Sequence, residues 1–561
     1  MKRTGGARRI VVLLALAPFA ACHGGAATTQ PRLDASAMDV AAPDAATPDA
    51  PTPDAPGPDA PSPDAPSLDV PSVIRLGPRA AGAVFVHLFE WRWTDVAREC
   101  EAYLGPAGFA AVQVSPPSEH AVLAGHPWWQ RYQTVGYALD RSRSGTADEF
   151  RDMVHRCAAV GVAIYVDAVI NHMTAQASGT GSNGTAFTKY AYPSVYAAAD
   201  FHAPPCTIAD ADYQNAPDRV RRCELDGLAD LDTGSDRVRA RIAGYLSALV
   251  ELGVKGFRID AAKHIDPADL DAILRKVNDT VGAAASPDYY LEIIDYGGEA
   301  IHAADYLTTG QGAAERVDLI EFKYTAVADA FAGLGGQTVA GLHTLGAGLL
   351  PSDRAVVFVN NHDTQRGTSL FYQDAPGYDL ATVFMLAWPY GTPSILSSFA
   401  FDRSTAAGRD QGPPSDGQGN TRPVYAAGAG APDCRDDLTL PAQPAGQWLC
   451  EHRRPFVARL TAFRKATASA AVTNEWDDGA DALAFGRGAL GFVAINNGAS
   501  TLHRVFATGL PAGAYCDVYG GAPTANGCSA TTIPVAADGT AELTVAAGAA
   551  VVLHVGAPAG P

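Results

Sequence analysis

The sequence predicts a (β/α)8 barrel with an inserted loop domain and a C-terminal antiparallel β-sandwich domain. Three observations carry that prediction. Eight short apolar runs recur between residues 83 and 397, each reading as a buried parallel strand. Amphipathic helical patterns separate many of them. Acids stand at or just past the ends of three runs: Asp260 in FRIDAAKH, Glu292 in YLEIID and Asp363 in FVNNHDTQ. Barrel enzymes place their reacting groups at the carboxyl ends of several different strands.

Taken in order, residues 1–22 read as an export signal. Lys2, Arg3, Arg8 and Arg9 precede the apolar run 10–17, which is too short to span a bilayer as a mature helix. Phe19-Ala20-Ala21-Cys22 resembles a bacterial lipobox, in which Cys22 is acylated and becomes the mature N-terminus. An ordinary cleaved signal peptide is the plainer reading. Residues 23–78 form a linker, within which 43–67 repeat PDAAT, PDAPT, PDAPG, PDAPS and PDAPS. Proline forbids a regular helix there, and the aspartates repel one another. At about 3.1 Å per residue, roughly 50 residues after Cys22 reach ~150 Å, enough to lift a catalytic body off a membrane.

The strand candidates are 83–88, 110–114, 162–170, 256–259, 290–294, 319–322, 355–359 and 393–397. Thr146 and Glu149 have capping-box spacing before Phe150, Met153, Val154 and Cys157, with Gly161 as the stop. Ser235 precedes Val238, Ile242, Tyr245 and Leu249 as an expected N-cap, and Gly253 closes that helix. Asp266-Pro267 opens a third, with Leu270, Ile273, Leu274 and Val277 on one face. These give a barrel over 79–171 and 232–469. Residues 172–231, rich in Gly, Ser, Thr, Tyr, Asn and Asp, break the rhythm as an insertion after the third strand. From 470 to 558, short strands with Gly turns predict an antiparallel domain.

Composition narrows the functional classes. The net charge of −19 argues against a nucleic-acid partner, because phosphate binding needs a basic face. Part of that charge sits in the Asp-rich N-terminal segment, and the acidic balance is read as solubility. There are nine Cys. Setting Cys22 aside leaves Cys100, Cys157, Cys206, Cys223, Cys434, Cys450, Cys516 and Cys528, an even set that fits disulfides in an oxidising compartment. Spacing alone does not fix their pairing. Grouped carboxylates suit glycoside hydrolysis above other barrel chemistries.

HLFEWRW (87–93), VQVSPP (112–117), PWWQRYQ (127–133), VDAVINHM (166–173), GFRIDAAKH (256–264) and FVNNHDTQRG (358–367) resemble the α-amylase family of glycoside hydrolases. More narrowly, they resemble the animal-type, chloride-dependent group and its bacterial relatives. The similarity runs from about residue 80 to the C-terminus and includes AFGRG and LPAGAYCDV. The resemblance implies a calcium-binding insertion and the pairs Cys100–Cys157, Cys206–Cys223, Cys434–Cys450 and Cys516–Cys528. It implies endo-acting hydrolysis of α-1,4 bonds in starch, glycogen and maltooligosaccharides with retention. An exo-acting or transglycosylating relative is the alternative; a non-catalytic glycan-binding protein would have lost the carboxylates.

Residue by residue, the resemblance makes Asp260 the nucleophile, Glu292 the acid/base and Asp363 the group that steadies the transition state. Arg258 shares a strand face with Asp260 and keeps it ionised. Asp167 organises the site. Trp128, Trp129, Tyr132, Gln133, His172, Lys263, His264 and His362 are the expected sugar contacts. Calcium falls to side-chain oxygens of Asn171 and Asp230 and to backbone carbonyls of Arg221 and His264. Two chloride positions match, Arg258 and Asn361. The third, a cation in those relatives, is Ser394 here, so chloride is expected not to be required. The Gly-rich loop that vertebrate relatives carry after this motif is also missing. The remaining expectations are a monomer, exported, meeting a membrane only through an N-terminal lipid anchor.

Overall fold

The structure, a computed structural model, describes residues 81–193, 195–309, 317–434 and 445–560. The export signal, Cys22 and the PDA repeats lie outside the described residues. Eight parallel strands close into a barrel in simple sequential order. They are β1 (Phe85–Leu88), β2 (Ala111–Val114), β3 (Ala163–Ala168), β4 (Gly256–Ile259), β5 (Asp288–Leu291), β6 (Val317–Ile320), β7 (Ala355–Val357) and β8 (Thr392–Ser397). β1 pairs with β2 on one side and β8 on the other, which leaves no edge.

Several ladders start or stop before the apolar runs do. The run at 290–294 outlasts β5, and Ile293 is fully buried without belonging to the ladder. Hydrophobicity reports burial, whereas strand limits follow backbone pairing, so the two part company at strand ends.

Alternation along the strands separates two layers of the barrel interior. Phe85, Ala111, Ala163, Tyr165, Tyr290, Ile320 and Val356 form one apolar cluster. Two residues further along the same strands stand His87, Gln113, Asp167 and Glu292. The barrel floor is thereby greasy and its carboxyl-end rim polar.

Outside, α1 (Trp93–Glu99), α2 (Ala147–Ala159), α3 (Asp236–Glu251), α4 (Pro267–Val281), α5 (Thr325–Ala332) and α6 (Gly377–Ala387) cover the strands. Thr146 and Glu149 make the full capping box on α2. The Asp266 side chain accepts from Ala268 N on α4 at 2.9 Å. Ser235 stands at the start of α3, but its hydroxyl makes no cap hydrogen bond; that cap is one of position only.

In the insertion, His172–Met173 pairs with Ala229–Asp230 and Ser178–Thr180 pairs with Ala186–Thr188. Disulfides join Cys100 to Cys157, Cys206 to Cys223, Cys434 to Cys450 and Cys516 to Cys528. These are the four pairs the resemblance implies.

After the short helix α7 (Ala406–Asp410) and helix α8 (Pro455–Ala466), the chain becomes antiparallel. β9 (Val472–Asp477), β10 (Ala482–Arg487), β11 (Gly491–Asn496) and the last strand (Ala549–His554) form one sheet. Phe492, Phe506, Leu543, Val545 and Leu553 fill its core with the paired strands Leu502–Ala507 and Thr540–Val545. Two buried arginines tie this region to the barrel. Arg464 Nη1 donates to the carbonyls of Met385, Leu386 and Trp388 at 2.9–3.3 Å. Arg487 Nη1, from β10, donates to Ala387 O at 2.6 Å. Together they satisfy carbonyls that the C-terminus of α6 would otherwise leave orphaned.

Candidate active site

The site is built on the register of β3, β4 and β5. Arg258 lies opposite Asp167 on one side and Tyr290 on the other. The ladder runs on past the strands, with Asp260 N donating to Ala168 O (3.0 Å) and Glu292 N to Ile259 O (3.1 Å). Asp260 and Glu292 therefore emerge side by side. Arg258, 2% exposed, joins them. Its Nη1 donates to Asp167 Oδ1 (2.6 Å) and Asp260 Oδ1 (2.9 Å), and its Nη2 donates to Glu292 Oε1. Glu292 Oε2 accepts from Ala261 N at 3.0 Å.

One cation facing three carboxylates leaves the cluster short of positive charge. Burial raises Asp260 well above the usual carboxylate range, against the pull of Arg258. Burial likewise raises Asp167, which also accepts from Tyr132 Oη at 2.9 Å.

Asp363 comes from a turn after β7. Asn361 Oδ1 accepts from the backbone N–H groups of Asp363 (3.0 Å) and Thr364 (2.8 Å). Burial, then the charge of Glu292, pushes the Asp363 carboxyl up to about 7. His362 Nε2 lies 3.2 Å from Asp363 Oδ2. Its ring stacks on Tyr132 (5.2 Å) and Phe89 (5.0 Å) and meets Trp128 edge-on. Burial holds His362 well below its ordinary pKa, and His172 and His264 at about 4, so all three are neutral.

The paired tryptophans do not lie in a strand. They open a 3-10 turn, Trp128–Tyr132, which buries Trp128 and leaves Trp129 half-buried. Gln133 is buried, and its Oε1 accepts from Thr174 Oγ1 (2.7 Å) and Ala175 N (2.9 Å). His172 Nε2 lies 3.1 Å from Tyr132 O. Lys263 Nζ donates to Ile294 O (2.6 Å) and Glu299, and lies over the Tyr213 ring.

The residues expected to hold calcium make separate contacts past the ends of β3 and β4. Asn171 Nδ2 lies 3.4 Å from Asp230 Oδ1, and His264 Nδ1 lies 2.9 Å from Val220 O, next to Arg221. Arg221 Nη1 lies 3.5 Å from Asp266 Oδ2. Burial pushes Asp230 up to about 6, with His202 Nδ1 at 2.6 Å opposing it. A buried acid next to an Asn side chain, which also carries an amide oxygen, is donor chemistry that suits a hard divalent cation. Among the described residues no cluster of three or more His, Cys, Asp or Glu side chains does so.

The chloride positions Arg258 and Asn361 line one cavity with Ser394. This cavity of about 20 Å³, room for about one water, is lined by His87, Gln113, Arg258, Asn361, His362 and Ser394, among others. His87 and His362 are neutral, Ser394 carries no charge, and Arg258 is shared among three carboxylates.

Sequence reasoning missed His87, Gln113, Glu299 and Arg366. The first two were legible as the polar members of strands β1 and β2. Glu299 lies in a loop and Arg366 in the 3-10 turn Thr364–Arg366, with no periodicity to mark either.

A closed parallel barrel with carboxylates gathered at its carboxyl-end rim has the form of a barrel glycoside hydrolase. Residues 102–282 match the family model described as alpha amylase, catalytic domain, and 474–556 match alpha amylase, C-terminal all-beta domain. The chain is 45% identical to the alpha-amylase of Tribolium castaneum, over 82% of this chain and 91% of the relative. It is 44% identical to that of Thermomonospora curvata, over 87% and 76%. The solved structure of a variant of alpha-amylase I from Eisenia fetida with maltohexaose is similar at 38% identity, with a TM-score of 0.75, covering 84% of this chain and 97% of that one. The chain belongs to the alpha-amylase family.

Proposed function

We propose that the chain is an endo-acting α-amylase that cleaves internal α-1,4 bonds of starch, glycogen and maltooligosaccharides with retention. The observation that carries this reading is the single guanidinium shared by Asp260 and Glu292 on neighbouring strands. Retaining hydrolysis needs a nucleophile and an acid/base about 5–5.5 Å apart. Glu292 protonates the glycosidic oxygen as its bond to C1 breaks, and the Asp260 carboxylate closes on C1 to form a glycosyl ester. Glu292 then takes a proton from water, whose oxygen attacks C1 and frees Asp260. Arg258 pulls the Asp260 carboxyl down, against the burial that raises it. Asp363 and His362 hold hydroxyls of the reacting sugar, and Trp128, Trp129, Tyr132, Gln133, His172, Lys263 and His264 line the glucan path. Asp260→Asn tests this: turnover of soluble starch falls to background while binding persists. Retained turnover, or products released with inverted anomeric form, refutes the assignment.

Asn171, Arg221, Asp230 and His264 are assigned to calcium. When bound, the ion supplies a cross-link between the insertion and the segment that follows Asp260. No chloride is assigned, because Ser394 leaves the cavity without a free cation. Activity in chloride-free buffer is therefore expected to stay within about twofold on adding chloride, since no compensating charge is gained; a large activation overturns this. The four disulfides suit an oxidising compartment. We assign the chain to export as a monomer, with Cys22 as the acylated anchor; mass spectrometry of the mature N-terminus checks it.

A further inference from the structure

Arg366 stands three residues beyond Asp363 and is 7% exposed. Its guanidinium lies among four aromatic rings, 4.5 Å from Trp128, 4.6 Å from Phe401 and 5.6 Å from both Phe89 and Phe399. Nε donates to Arg409 O at 3.0 Å, and Nη1 donates to His362 O. The indole N–H of Trp128 donates to the same Arg409 carbonyl at 3.0 Å. Nη2 is buried with no hydrogen-bond partner. No ion pair to Arg366 occurs among the described residues, and Asp363 is the carboxylate that acts on it most strongly. Burying a cation without a paired acid is costly, and burial holds this one down to about 9. An apolar side chain could fill the ring cage at no such cost. What it could not do is hold two carbonyls from different segments in one rigid plane.

We propose that Arg366 is a positioning residue that ties the peptide carrying Asp363 to the wall formed by Trp128 and α7. It sets the Asp363 contact made in the transition state together with glucan binding along that wall. The inference rests on the reading of Asp363 and Trp128 as substrate contacts. It differs from a packing role in one respect: it predicts that kcat and KM move together in enzyme that is still folded.

The test compares Arg366→Lys and Arg366→Ala with the wild type on soluble starch and on a short chromogenic maltoside. In Arg366→Lys, a point charge replaces the planar fork. We expect kcat to fall about tenfold to a hundredfold, the scale of a misplacement of roughly 1 Å. KM should rise on starch and change less on the short substrate. In Arg366→Ala, guanidinium ion at non-denaturing concentration restores part of kcat, and methylammonium does not. Wild-type kcat and KM in folded variants overturn the proposal, as does a lowered Tm with unchanged kinetics. Failure of both variants to fold also overturns it, because the arginine is then structural. Asp260→Asn is assayed alongside. Its retained turnover would sink the active-site reading itself, whereas a dead Asp260→Asn beside wild-type-like Arg366 variants sinks only the tie.

Discussion

Arg258 is the residue on which the electrostatics of the rim turn. It gives Asp167, Asp260 and Glu292 a common partner, yet one positive charge does not neutralise three acids. Burial first, and then the charge of Glu292, pushes the Asp363 carboxyl up to about 7. An acid whose folded pKa lies above its unfolded value contributes stability fully present below the unfolded pKa, which is lost as pH rises through the folded one. For Asp363 that window runs from about 4 to about 7. Asp363→Asn removes the charge and should raise Tm by a few degrees at pH 8, with the gap narrowing towards pH 5, while turnover collapses. A Tm at pH 8 equal to or below wild type would contradict this. The site thus trades stability for a charge its chemistry requires.

At the scale of elements, the strands show what the sequence could and could not reveal. The strand–helix alternation, the acids after β4 and β5 and the capping box on α2 were all readable, because each is a local pattern with a physical period. The layer beneath them was less so. Gly256 opens β4, and a Cβ there would sit 1.8 Å from the Tyr165 ring. That ring packs against Phe85 and Tyr290, and its hydroxyl donates to Asp288 Oδ2 at 2.8 Å, so it has no free direction in which to retreat. Gly256→Ala is expected to destabilise the barrel by about 1–3 kcal/mol, the usual cost of overpacking. Urea melts would check it, and a wild-type midpoint would show that Tyr165 yields more easily than its packing implies. A lone glycine opening an apolar run gave no hint of this contact. Nor did the sequence expose the contacts of Gln133, whose side chain folds back onto Thr174 and Ala175, because a polar residue after an aromatic reads equally well as a sugar contact or as a loop staple.

For the whole molecule, the link between insertion and barrel is the point of vulnerability. His172–Met173 pairs with Ala229–Asp230, and Asn171 and Asp230 stand at that junction. Chelation is expected to lower both Tm and starch-hydrolysing activity, and added calcium to restore them. An unchanged melting curve in excess chelator would remove calcium from the assignment. The disulfides, one of them within the insertion, should hold local structure through that loss, so the chelated protein is expected to recover on recalcification.

The arginines that reach from α8 and β10 to the end of α6 carry a consequence for any attempt to shorten or recombine this protein. A boundary drawn at the start of the antiparallel region would remove Arg487, the donor to the Ala387 carbonyl, and uncover the end of α6 a few residues before the strand that bears Ser394. The C-terminal sheet is therefore not an interchangeable accessory. A catalytic fragment ending near residue 470 would hand that helix end to water, whereas a graft from a distant relative that covers it again would have to bring a donor for the Ala387 carbonyl.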